Sequence, residues 1–90
     1  MSVYVDPIMC HGGSATFRWK HSCHMYADTV EELHEFAKKI GMKAAWFQTG
    51  GRLDHFDLTI ARRRLAVKLG AIETTREHIV SYMKPRGRTV

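Results

Sequence analysis

Two similar stretches of this chain each begin with a histidine and contain an aspartate before a threonine. The first reads His24-Met25-Tyr26-Ala27-Asp28-Thr29, followed by a charged amphipathic segment that ends in Ile40-Gly41. The second reads His55-Phe56-Asp57-Leu58-Thr59, followed by another such segment that ends in Leu69-Gly70. If each folds as strand then helix, two imidazoles and two carboxylates come to comparable places in neighbouring units. Protonated histidine, with arginine, donates to phosphate oxygens. Neutral histidine with a carboxylate ligates a metal ion. The plain alternative is an α/β repeat whose hydrophobic pattern recurs without any shared ligand.

The elements that position these groups follow from period and capping. Ser2–Val5 reads as a short strand closed by Asp6-Pro7, since proline lacks a ladder donor. His11-Gly12-Gly13-Ser14 is a loop, Phe17–Trp19 extends a strand, and Ser22–Ala27 is the next strand. Thr29 with Glu32 forms a capping box for a helix over 30–40. There Val30, Leu33, Phe36, Ala37 and Ile40 recur at helical spacing, and Gly41 supplies the left-handed stop. His34 falls at the border of this apolar stripe, where a histidine packs against a neighbour or turns to a ligand.

Lys43–Gln48 reads as a strand, with Trp46 and Phe47 on opposite faces. Thr49–Arg52 is a turn and Asp54–Leu58 a strand. A second helix over 60–69 follows Thr59, with Arg63 and Arg64 outward and Arg62 nearer the buried side. Ala71–Glu73 is a strand, and Thr74 with Glu77 caps a last helix to about Met83. The fold class is α+β, a small mixed sheet of about five short strands with helices on its faces, in the order β-β-α-β-β-α-β-α.

Bulk properties limit the function classes. Ninety residues make one small domain, here residues 1–83, that buries only roughly 60–65% of its unfolded surface. Oligomerisation, most simply a homodimer, would add to so thin a margin. No apolar run approaches the roughly 20 residues that span a bilayer, and the N-terminal residues lack signal-peptide character. A cytoplasmic location is expected. Cys10 and Cys23 form no CxxC pair and read as reduced thiols. Of the net charge of +5, residues 84–90 carry three basic groups, which leaves +2 on residues 1–83. That tail reads as disordered. Only Arg62-Arg63-Arg64 with Lys68 concentrates charge elsewhere, which is weak support for nucleic-acid binding.

Tyr4-Val5-Asp6, Cys23-His24-Met25-x-Ala27-Asp28-Thr29-x-Glu31-Glu32-Leu33-His34, Ile40-Gly41, Trp46-x-Gln48, Asp54-His55-Phe56-Asp57 and Arg62-Arg63-x-Leu65-Ala66-Val67-Lys68-x-Gly70-Ala71 together resemble the domain of unknown function 4031 family. The resemblance spans roughly residues 3–78 and implies a phage or bacterial origin. It also implies a recurring polar set of Asp6, His24, Asp28, His34, His55, Asp57 and Arg63. His55-Phe56-Asp57 stands where the family usually has His-Tyr-Asp, so no phenol is offered at that point. The family name supplies no activity, and analogy with small phage proteins that sequester host immune signals supplies only a role to test.

Three functions remain. The leading one is a protein that binds a phosphorylated small molecule, such as a nucleotide or nucleotide-derived signal. It would use His24, His55, Arg63, Asp6, Asp57 and His34, with Tyr4 and Trp46 to stack on a base. Helix N-termini at Thr29 and Thr59 would favour an anion. The second is a small metal-dependent hydrolase or nuclease built from the same histidines and aspartates. HExxH and Cys/His zinc spacings are absent, so spacing assigns no metal ligands, and no cofactor or catalytic residue is identified. The third is a nucleic-acid or protein-interaction module centred on Arg62–Arg64 and the tail.

Overall fold

A computed structural model describes residues 2–10, 21–49 and 51–83. The loop expected at His11–Ser14, the strand extension at Phe17–Trp19 and the tail 84–90 lie outside the described residues. The elements are β1 (Val3–Val5), β2 (Met9–Cys10), β3 (His21–Ala27), α1 (Val30–Lys39), β4 (Phe56–Leu58), α2 (Ile60–Lys68), β5 (Ile72–Glu73) and α3 (Arg76–Tyr82). The class is α+β with a mixed sheet.

β3 is the centre of the sheet. β4 lies antiparallel along one edge, with Met25 opposite Phe56 and His24 opposite Asp57. β1 lies antiparallel along the other edge, with Val5 opposite Met25, and β2 continues there with Met9 opposite Ser22. Four steps of chain from Val5 to Met9 thus face three steps from Met25 to Ser22. The extra residue falls in Asp6-Pro7-Ile8, and a bulge at that point suits a proline without an N–H. β5 runs parallel to β1 and ends the sheet.

Strand alternation sorts the side chains into two faces. Val3, Val5, Cys23, Met25, Phe56 and Leu58 form a core with Leu33, Ala37 and Ile40 of α1 and Ala66 of α2. Tyr4, His24, Tyr26 and Asp57 alternate onto the other face. There Tyr26 meets Thr74 Oγ1 at 2.7 Å and His78 Nδ1 at 2.8 Å, so α3 covers one end of it.

Capping explains the helix ends. The Thr29 hydroxyl accepts from the Glu32 N–H at 3.2 Å and donates to Glu32 Oε1 at 3.1 Å. Thr59 accepts likewise from the Arg62 N–H. After α1, Gly41 takes φ +76°, a conformation that strains other residues. Arg62 Nη1 donates to the Ile40 carbonyl at 2.7 Å, so α2 satisfies an acceptor left at the end of α1.

Three expectations need correction. Lys43–Gln48 is not a strand: Ala44–Trp46 form a 3-10 turn, and only Gln48 pairs, in a lone bridge to His55. The cap of α3 is Thr75, which accepts from the His78 N–H, while the Thr74 hydroxyl donates to the Val5 carbonyl. Arg63 does not project into solvent. It is half-buried against the β1–β2 bulge, where Nε donates to the Asp6 carbonyl at 2.9 Å.

Candidate functional site

The bulge turns the Asp6 carboxylate inward, and it is 2% exposed. One oxygen accepts from the His24 backbone N–H at 2.6 Å, and the other meets His24 Nδ1 at 3.0 Å. A buried carboxylate needs such partners. With Nδ1 held as the donor, Nε2 is the lone pair that His24 has left to offer.

His55 sits just before β4, placed by the paired Gln48–His55 backbone hydrogen bonds. Its Nδ1 lies 2.8 Å from the Leu53 carbonyl, so this ring also directs Nε2 away from its anchor. The two imidazoles meet edge to face with centroids 4.9 Å apart. Asp57, directly across from His24 in the ladder, brings Oδ1 to 3.4 Å from His55 Nε2. Its other oxygen accepts from the Gln48 side-chain amide. One donor atom each from His24, His55 and Asp57 lies within 4.8 Å of the others.

Burial lowers the His55 pKa, but the Asp57 hydrogen bond, the Leu53 carbonyl and the nearby carboxylate charges outweigh it and hold the imidazole above its ordinary value. Burial likewise pushes the Asp57 carboxyl up, yet His55, the charge of His24 and the Gln48 amide together hold it below the carboxylate norm. Protein oxygens occupying both His55 nitrogens favour an imidazolium that shares a proton with Asp57. A divalent ion can take the place of that proton.

The histidines open into a hollow of about 400 Å³ lined by His24, Gln48, Thr49, Arg52, His55 and Met83, among others. The remaining sequence candidates lie elsewhere. Arg63 is engaged by Asp6 and, through Nη1, by Glu73 at 3.0 Å. It supports the site from behind. His34 packs against Phe47 and Phe56, with centroids at 4.4 and 5.6 Å, on the core side of the sheet. Tyr4 joins Tyr26, His78 and Tyr82 beneath α3. Asp28 accepts from the Ser2 N–H and from the hydroxyls of Tyr4 and Tyr82. Trp46 shares with Asp57 a separate hollow that neither His24 nor His55 lines. Gln48 and the Leu53 carbonyl are site members that the sequence reading did not select. The Trp46-x-Gln48 pattern was the available signal for Gln48.

The family described as a protein of unknown function, DUF4031, matches residues 3–86, and the chain belongs to it. No curated protein and no solved structure matches. Among the described residues, no helix is long and apolar enough to cross a membrane.

Proposed function

We propose that this protein is a small metal-dependent hydrolase acting on a phosphorylated small molecule, with the metal held by His24, His55 and Asp57. One observation carries the reading: both imidazoles have Nδ1 fixed by an oxygen, of Asp6 and of Leu53, and a carboxylate stands beside them. Carboxylate- or carbonyl-anchored histidine is the usual support of a metal ligand. Two histidines and one carboxylate leave coordination positions for water and substrate. An ion bound there would supply Lewis-acid polarisation of a phosphoryl oxygen and a water nucleophile near neutral pH.

The chain's own groups divide the remaining work. Asp6 fixes the His24 tautomer, Leu53 that of His55, and Gln48 holds the second oxygen of Asp57. Arg52 also lines the hollow, where its positive charge suits phosphate oxygens, while the Thr49 hydroxyl beside it donates to Asp54. Direct anion capture by His24, His55 and Arg63 has less support, because Arg63 is already engaged and two carboxylates flank the imidazoles.

The test is hydrolysis of p-nitrophenyl phosphate and bis-p-nitrophenyl phosphate with Mn²⁺ or Zn²⁺ added. Turnover that is lost with a chelator and lost in His55→Ala supports the reading. No turnover with either ester and either ion counts against it.

A homodimer is proposed with it. β5 ends the sheet, and Leu69, Ile72 and Val80 nearby are exposed apolar side chains, which a second copy would cover. A monomer mass by light scattering across a wide concentration range would refute the dimer.

A further inference from the structure

Trp46 is a large apolar side chain that the core does not use. It closes the 3-10 turn after α1, is 43% exposed, and stands outside the buried cluster that takes up Phe56. Two adjoining hollows of about 260 Å³ each lie against it, and Met42, Trp46 and Asp57 line both. Two cations lie over the indole ring. Arg62 Cζ lies 5.8 Å and Lys43 Nζ 5.6 Å from the ring centroid. Arg62 is fixed there by its bonds to the Ile40 carbonyl and to Met42 Sδ at 3.4 Å.

These hollows adjoin the histidine site. Gln48 lines both the histidine hollow and a Trp46 hollow, and its amide is bonded to Asp57. Gln48 is thus the lining residue common to the two, and through its amide it ties Asp57 to the divide. An exposed indole with cations over it attracts a flat, electron-rich ring that can stack there with the more mobile Lys43 displaced. The fused rings of a purine match it in shape, and their electron-rich face suits the cations there.

We propose that the Trp46 hollows are a purine-binding subsite next to the His24–His55–Asp57 centre, which makes the substrate a purine nucleotide. The base stacks on Trp46 and the phosphate lies on the histidine side of Gln48–Asp57. The phosphate half rests on the hydrolase reading, whereas the base half rests on Trp46 alone.

Calorimetric titration with adenosine, AMP, GMP and ribose 5-phosphate separates the two halves. AMP or GMP should bind the Zn²⁺-loaded protein at least about tenfold more tightly than ribose 5-phosphate. Trp46→Leu should erase that preference, a loss of about ten- to a hundredfold, while Trp46→Phe retains most of it. Adenosine binding should persist in His55→Ala, since that variant leaves the indole in place. Equal affinity for the purine nucleotides and ribose 5-phosphate would overturn the proposal. So would a Trp46→Leu variant that folds normally by circular dichroism and keeps the preference, or an absence of binding by every probe. If adenosine and AMP bind equally and both depend on Trp46, the subsite stands and the phosphate and metal reading fails.

Discussion

The buried carboxylate of Asp6 holds His24 twice, through the backbone N–H at 2.6 Å and through Nδ1 at 3.0 Å. A single side chain thus fixes both the strand position and the ring tautomer of a residue 18 positions away.

Removing that carboxylate separates the two roles. Asp6→Ala leaves a buried N–H without its acceptor, at a cost of about 1–3 kcal/mol, seen as a lowered denaturant midpoint. Asp6→Asn keeps the shape but can turn an amide donor toward Nδ1. That forces the imidazole proton onto Nε2 and removes the lone pair offered to a metal. A roughly 10–100-fold loss of metal affinity is expected, measured on protein whose melting curve shows it folded.

Tyr82 and Asp28 form a second such pair, between α3 and the start of α1, at 2.5 Å. The Tyr82 hydroxyl is the main cause that lowers the Asp28 pKa from its ordinary 3.8; desolvation opposes it, and the Tyr4 hydroxyl and Ser2 N–H assist. The same bond raises the Tyr82 pKa above its ordinary 10.0. A lowered carboxyl pKa stabilises the fold above 3.8, and that contribution is lost as pH falls through the folded value. A raised phenol pKa stabilises below 10.0, with loss as pH rises through the folded value. The stability gap between wild type and Tyr82→Phe should therefore be widest between about pH 4 and 10 and narrow on both sides. A gap that stays constant down to strong acid would show that this bond does not report on pH.

Cys23 is buried in the core, and burial, with the charge of Asp6, pushes its thiol up to about 12. In a Cys10→Ser background it should resist Ellman's reagent at pH 8 until the protein unfolds, and the rate should then track denaturant. Rapid labelling of the native protein would contradict the packing at β3.

The helices were legible in the sequence because their signals are local. Thr29 with Glu32, Thr59, Gly41 and Gly70 mark ends that the structure keeps within a residue or two. What was not legible depends on distant register. Lys43–Gln48 carries the adjacent aromatics Trp46 and Phe47 that suit a strand, yet the chain spends Ala44–Trp46 on a 3-10 turn before pairing Gln48 with His55. Thr74 with Glu77 is the better cap by sequence, but the parallel pairing of β5 with β1 gives the Thr74 hydroxyl the Val5 carbonyl and leaves the capping to Thr75. Arg63 lies outward on a helical wheel drawn in isolation, but the bulge at Asp6 brings a carbonyl to it. The expected meeting of His24 and His55 did occur, though not through equivalent placement in a repeat. Antiparallel pairing puts Asp57 opposite His24 and leaves His55 beyond the end of β4.

The central claim is that His24, His55 and Asp57 hold one metal ion. Calorimetric titration of metal-free protein with Zn²⁺ and Mn²⁺ tests it most directly, on wild type and on His24→Ala, His55→Ala and Asp57→Ala. One ion per chain is predicted for at least one of these metals. Affinity should fall at least tenfold in each variant, and the signal should be unchanged in His34→Ala, whose ring packs on Phe47. No binding by wild type, or binding that survives all three substitutions, would contradict the account.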